Sequence, residues 1–461
     1  MFTKQKKSLT EGPLFFKITA FAIPIMLTGI LQMLYSMADN IVVGQFSGDP
    51  NALGAVGSTS SLNNLILHLL LGLSTGSSVV VAQAFGAKRE REVSRAAHTA
   101  MTVALFGGIL FCAISLAVSR PALTLMGTKE EIIDNAVLYL RIIALGIPAT
   151  AIYNYGAAIL RATGDSKTPL IILSSTGIVN VIFNLIFVIC FHMTVDGVAL
   201  ATIISQYLSA IAVTFILIKR KDECYSLSIK KYCFDFTLFK RILRFGIPAG
   251  IQSSMFGISN VMLTSTMNTF PTAAIRAHAV ATNIDGLTYT VCNAFCSAAM
   301  TFVGQNYGAS KLDRVKKSII YSAAQAAFMG IFVGMLELIF LDPLTHLYMP
   351  DADPAAMGYV KSICTLLLST YFLCGIMEVV SASVKALGYS LSPMLISLAG
   401  ICGLRLVWIF FVFPYLGDLH TPAGLMLSYP VTWISTLVML TFLLFFAYKK
   451  AQFKLSQKTK E

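Results

Sequence analysis

Charge is scarce in this chain. Lys, Arg, Asp and Glu make up 12% of its 461 residues and hydrophobic residues 56%, against about 25% and roughly 45–50% in soluble domains. That excludes the two or three soluble domains its length would otherwise allow. A phosphate-binding Gly-rich loop is missing, so energy must come from a gradient or from another chain. No His or carboxylate at metal-ligand spacing joins the nine cysteines, although Cys292 and Cys296 share a helical face. Most cysteines fall inside apolar runs, as free thiols acting as small apolar side chains do. His68, His98, His278, His346 and His420 form no pattern with acids, and no nucleophile–base constellation or selectivity-filter loop stands out. An enzyme and a channel both lose support. No small-residue cleavage site follows the first apolar run, which is too long for a signal peptide and reads as a membrane helix.

What the chain does have is apolar runs long enough to cross about 30 Å of hydrocarbon. They predict twelve helices, near 15–44, 52–82, 96–119, 132–158, 168–192, 195–218, 242–269, 277–303, 318–341, 357–384, 392–414 and 423–447. The fold class is an all-α polytopic membrane protein, two pseudo-symmetric bundles of six helices. A net charge of +12 could point to nucleic acid, but the basic residues alternate strictly from side to side. Lys4, Lys6, Lys7, Lys88, Arg89, Arg91, Arg161, Lys167, Lys219 to Lys221, Lys311, Arg314, Lys316, Lys317, Lys385 and the tail lie on one side. The other has Arg120, Lys129, Arg141, Arg276 and Lys361 beside acidic Asp49, Glu130, Glu131, Asp196, Asp351, Asp353 and Asp418. The positive-inside rule puts both termini in the cytoplasm, across a plasma membrane. Topology therefore accounts for the charge, and no nucleic-acid partner is expected.

The chain also repeats itself about 224 residues on. Phe21-Ala22-Ile23-Pro24 returns as Phe245-Gly246-Ile247-Pro248, and Gln83-Ala84-Phe85-Gly86-Ala87 as Gln305-Asn306-Tyr307-Gly308-Ala309. Arg161-Ala162-Thr163-Gly164-Asp165-Ser166 returns as Lys385-Ala386-Leu387-Gly388-Tyr389-Ser390. Six helices per copy make the repeats parallel, as in many secondary transporters whose lobes face each other across a pathway. The expected division is an N-lobe over 1–218, a cytoplasmic linker over 219–240 and a C-lobe with a basic tail over 241–461. Pro24, Pro148 and Pro248 fall inside predicted helices and can kink them, as fixed bends or as hinges. Small residues such as Gly72, Ser74, Gly76, Ser77 and Ser78 fit close helix packing.

With Gln32-Met-Leu-Tyr35-Ser-Met-Ala-Asp39 and Cys402-Gly-Leu-Arg405, these motifs make the chain resemble the multidrug and toxic compound extrusion (MATE) family over residues 13 to 447. Its bacterial DinF-like branch is the nearer match. The resemblance implies export of amphipathic, often cationic compounds in exchange for Na⁺ or H⁺, with no cofactor and as a monomer. A flippase for lipid-linked saccharides, of the same wider superfamily, is the alternative.

Ionisable groups inside a membrane helix cost from about 3 to more than 10 kcal/mol and are few here: Asp39, Asp285, Glu378 and Arg405, with Glu337 less central. Gln32, Tyr35 and Ser36 share the face of Asp39. The resemblance implies a cation site anchored by Asp39, with Asn180 and Asn184 four apart on helix five and Thr202 with Gln206 on helix six. Such a set of one carboxylate and neutral oxygens suits Na⁺, while a lone carboxylate in apolar surroundings suits a proton. Asn184 stands where many relatives carry Asp, which leaves one charge fewer. Gln32, Tyr35, Gln206, Gln252, Asp285, Glu378 and Arg405 are the candidates for a substrate cavity or a second ionisable site. Arg405 is expected either to pair with Glu378 or Asp285 or to line a wet cavity. Asp39, Asp285 and Glu378 correspond in the other copy to Leu263, Ser61 and Asn154, so the lobes differ in their charged groups.

Overall fold

The computed structural model describes residues 9–46, 52–228, 230, 232–350 and 353–458, and among them there is no strand. Lys4, Lys6, Lys7, Asp49 and Asp351 of the charge pattern lie outside the described residues. Only helices satisfy every backbone group within one apolar segment, which is why a chain of this composition takes this form.

The helices are α1 (Leu14–Phe46), α2 (Ala52–Gly86), α3 (Glu90–Leu125), α4 (Glu130–Leu145), α5 (Ile147–Ala162), α6 (Lys167–Leu185) and α7 (Val195–Lys219). They continue as α8 (Phe236–Met267), α9 (Thr272–Gly308), α10 (Leu312–Ile339), α11 (Leu341–Tyr348), α12 (Pro354–Ala386), α13 (Leu391–Ser397), α14 (Leu404–Val407), α15 (Pro422–Met426) and α16 (Ser428–Lys458). Among the described residues, ten segments are long and apolar enough to cross a membrane, and eleven if α4 and α5 count as one span bent by 43°. The remaining expected span falls in α8, which has 32 residues but carries Gln252, Ser253, Ser254, Ser259, Asn260, Thr264, Ser265 and Thr266. Its polarity keeps it out of the apolar set.

The bend between α4 and α5 falls at Gly146, just before Pro148, whose ring nitrogen has no hydrogen to donate. The Tyr207 hydroxyl donates to the Leu145 carbonyl at 2.9 Å beside this break. Pro24 and Pro248 instead lie within unbroken helices. Runs of π-helix follow α6 (Ile186–Cys190), separate α13 from α14 (Leu398–Gly403) and follow α14 (Trp408–Val412).

The loop motifs repeat because their turns do. Lys88 and Ser310 both take positive φ, 56° and 59°, and the next amide donates five residues back, Arg89 to Ala84 and Lys311 to Asn306. Gly164 and Gly388 take φ of 97° and 104°, with Asp165 donating to Leu160 and Tyr389 to Val384. Each is a helix end closed by a left-handed residue and a reach-back hydrogen bond.

Two compact units emerge, but not the two expected. One comprises Leu27–Gly250, the other Met1–Met26 with Ile251–Glu461. The boundary therefore runs through α1 and α8 rather than through the linker 219–240, and each cut falls two residues after an equivalent proline, Pro24 or Pro248. Local bonding explains it. In the first unit the Asp235 amide donates to Thr99 Oγ1 at 3.1 Å, Ser228 N to His98 Nε2 at 3.0 Å, and Arg241 pairs with Glu92 at 2.8 Å. In the other, Arg314 donates to the carbonyls of Gly12 at 3.1 Å and Leu9 at 3.4 Å, and Lys311 to that of Thr10 at 3.0 Å. The stretch ahead of each proline is thus tied to the opening turns of α3, or to the α9–α10 turn and the start of α10.

Within Leu27–Gly250, α2 and α8 approach at paired glycines four apart, Gly72 and Gly76 against Gly246 and Gly250. A Cβ on Gly76 would overlap the Ile242 carbonyl and lie 2.7 Å from Gly246 N, and one on Gly246 would lie 2.6 Å from Leu73 O. Small residues four apart let two helix backbones touch. Arg220, just past α7, ties that helix end to the α5–α6 turn, donating to Asp165 at 2.7 Å, Thr168 at 2.8 Å and Tyr225 at 2.9 Å.

Candidate functional site

The four residues expected to hold the coupling ion come together in the unit Leu27–Gly250. Asn184 Nδ2 donates to Asp39 Oδ1 and also reaches Asn180 Oδ1 at 3.4 Å; Asn180 Nδ2 in turn reaches Thr202 Oγ1 at 3.5 Å. Helical spacing makes this possible. Asn180 and Asn184 are one turn apart on α6, and Thr202 on α7 is anchored by donating to the Val198 carbonyl at 2.9 Å. Asn184 is fully buried, and its Oδ1 has no hydrogen-bond partner. Around the group, Val42, Val56, Tyr139, Val188, Val195, Val198 and Ala199 belong to one buried apolar cluster. A carboxylate in such surroundings holds its charge only with help from partners, and here the described partners are neutral.

Tyr35, one turn before Asp39, lies flat on α6. Its hydroxyl donates to the Ser174 carbonyl at 3.2 Å, and a Cβ on Gly177 would fall within its ring. Gln206 does not join Thr202 at the site. It packs against Gly146, where its Oε1 is buried without a hydrogen-bond partner. Gln32 is exposed.

The remaining candidates, with Glu337, belong to the other unit, on five different elements. Gln252 on α8 is buried and donates to Ser397 Oγ at 3.0 Å. Asp285 on α9 and Glu378 on α12 are half-buried, and Glu337 on α10 is buried and accepts from Thr288 Oγ1 at 2.6 Å. Arg405 on α14 corrects one expectation. It is 2% exposed, yet neither Glu378 nor Asp285 pairs with it, and no ion pair to it exists among the described residues. Its Nη1 donates to Asn260 Oδ1 at 2.8 Å and Ser259 Oγ at 3.1 Å, and its guanidinium lies 4.2 Å from the centre of the Tyr429 ring. Neutral dipoles and a ring face replace the ion pair. Ser259, Asn260 and Tyr429 went unremarked in the sequence, since they stand about 145 residues before and 24 after Arg405 with no charge to mark them.

With this geometry in view, the chain compares closely with known transporters. A family model described as MatE matches residues 24–186 and again 248–411. The chain belongs to the MatE family. Both matches begin on the repeated proline, at Pro24 and Pro248. Among MatE relatives, the probable multidrug resistance protein YoeA of Bacillus subtilis (strain 168) is 26% identical over 97% of this chain and 96% of its own length. The probable multidrug resistance protein NorM of Thermotoga maritima is 26% identical over 93% and 92%, and a protein of Shewanella oneidensis named FAD transporter is 22% identical over 93% and 94%. A solved structure, the outward-facing conformation of a multidrug resistance MATE family transporter of the MOP superfamily, shares the fold at a TM-score of 0.87, with 20% identity and 100% of both chains covered. This MatE chain is a multi-pass membrane transporter and not an enzyme.

Proposed function

We propose that the protein is a secondary active antiporter that exports amphipathic, cationic compounds in exchange for H⁺ or Na⁺, with Asp39 as the group that takes the ion. The observation that carries this reading is the run of contacts from Asp39 through Asn184 and Asn180 to Thr202 inside an apolar cluster. The donor set leaves room for either ion. It holds one carboxylate, one of whose oxygens already accepts from an amide; a Na⁺ ion would instead call on the unpartnered Asn184 oxygen. Loading Asp39 removes an uncompensated charge from among α1, α6 and α7, so loaded and empty sites favour different packings, the requirement for alternating access. One charge moving down about 100 mV supplies roughly 2.3 kcal/mol, enough for about a 50-fold substrate gradient.

The names of YoeA and NorM support multidrug export. Orientation follows the basic loops, with both termini in the cytoplasm of a plasma-membrane monomer. The flippase alternative has less support, because the single Arg405 falls short of the charge of a pyrophosphate headgroup. Liposomes loaded with a cationic dye and challenged separately with imposed H⁺ and Na⁺ gradients test the reading. Efflux should follow one ion and should stop in Asp39→Asn. Efflux and ion dissipation that both persist in this variant would falsify it.

A further inference from the structure

Arg405 is buried and, among the described residues, has no acid paired with it. Ser259 and Asn260 take one of its nitrogens, Nη1, while Nε is buried without a partner. Three residues on, the Trp408 indole N–H is also buried and unpartnered. A buried guanidinium whose Nε lacks an acceptor, with a second unpartnered donor three residues on, has hydrogen bonds left to offer an anion. The backbone around it is unusual as well: α14 is four residues long and lies between the π-helical runs Leu398–Gly403 and Trp408–Val412. The later run has a counterpart in the first copy at Ile186–Cys190. The earlier one has none, since residues 174–179 continue a regular α6. Such insertions recur at functional sites. Apolar surface adjoins the cluster on both sides. Tyr429 and Tyr371 pack edge-on against Trp433 at 5.4 and 5.1 Å. A cavity of about 450 Å³ with a mixed lining, Met262, Ile409, Phe410 and Phe413 beside Ser265 and Thr266 among others, begins within a turn of Asn260 on one helix and of Arg405 on the other. That volume suits a small ligand.

We infer that Arg405, Asn260 and Ser259 form an acceptor site for the singly charged anionic head of an amphipath, a carboxylate or a phosphodiester, whose apolar body occupies the adjoining cavity. One guanidinium matches one negative charge. Asn260, the exposed member of the group, marks where the head enters. The inference deepens the proposed export of amphipathic compounds and rests on it for the ligand's role, since it widens the cargo to compounds with an acidic group. The site itself does not depend on ion coupling.

The test is equilibrium binding without any gradient. Full-length protein in dodecyl maltoside is titrated with dansyl-undecanoic acid and with its methyl ester, a pair that differs in the charge of the head. The acid should bind about tenfold more tightly than the ester, the difference one charge-assisted hydrogen bond makes. Arg405→Gln should abolish that preference and leave ester binding, which also reports a folded protein. Asn260→Asp places a carboxylate beside the guanidinium, satisfies it internally and should abolish the preference with Arg405 still present. If Arg405→Gln fails to fold, Asn260→Asp carries the test. Equal affinities in the unmodified protein, or a preference that survives in Asn260→Asp, would overturn the proposal. Added phosphatidylglycerol separates the two sources: competition assigns the site to a lipid head, and its absence to a carboxylate-bearing cargo. Loss of ion-driven efflux in Asp39→Asn bears on the coupling alone.

Discussion

Gly76→Ala and Gly107→Ala add the same methyl group to two helices of the unit Leu27–Gly250, and they should act in opposite directions. Nothing lies within 4 Å of a Cβ on Gly107, so alanine there brings only its better helix propensity, about 0.5–1 kcal/mol. A Cβ on Gly76 overlaps the Ile242 carbonyl and sits 2.7 Å from Gly246 N and 3.0 Å from Gly246 Cα. These are backbone atoms with no rotamer to yield, so α2 and α8 must separate. Overpacking of this kind costs roughly 1–3 kcal/mol, more than the propensity gain returns. At about 2–4 °C per kcal/mol for a unit of this size, Gly76→Ala should lower the unfolding midpoint by up to about 10 °C and Gly107→Ala raise it by about 1–4 °C. Detergent-solubilised protein, heated in steps and read by the surviving monodisperse peak in size-exclusion chromatography, gives both midpoints at one heating rate. A midpoint for Gly76→Ala at or above that of Gly107→Ala would refute the claim that the paired glycines set the approach of the two helices.

In the turn between α5 and α6, burial pushes the Asp165 carboxyl up, but hydrogen bonds from Thr168 and from Arg220 outweigh it and hold the group below the usual carboxylate range. The stability it contributes is present above the unfolded value of about 4 and disappears as pH falls through the lower folded value. Asp165→Asn should therefore lose about 1–3 kcal/mol at pH 7 and little in strong acid, measured as a melting midpoint against pH. Gly177→Ala should push the Tyr35 ring off α6 and reduce ion-driven efflux, while adding Tyr35→Ala should restore part of the expression and melting midpoint; no recovery in the double variant would mean the two residues do not share that space.

How far the sequence could be read depended on how local the signal was. Asn180 and Asn184 share a face by simple periodicity, and with the family resemblance that placed them beside Asp39 and Thr202. The break at Gly146 was legible in Pro148. Arg405 was legible as costly, but its partners were not: charge complementarity pointed to Glu378 or Asp285, whereas the structure uses Ser259, Asn260 and a tyrosine ring. Neutral partners distant in sequence leave no charge pattern to find. The π-helical runs likewise leave no mark, since they differ from α-helix by one residue per turn in otherwise ordinary apolar sequence. The linker 219–240 stands out as polar, yet polarity reports solvent contact and says nothing of which turn a segment is bonded to.

The division through α1 and α8 bears on how such a chain could arise. Each unit takes its opening stretch, through the proline, from the other copy of the repeat. Two half-length chains would reproduce that division only by exchanging these stretches, as a swapped dimer. By the same reasoning, residues 1–228 and 229–461 expressed separately should each be incomplete, and should recover a folded transporter only when produced together.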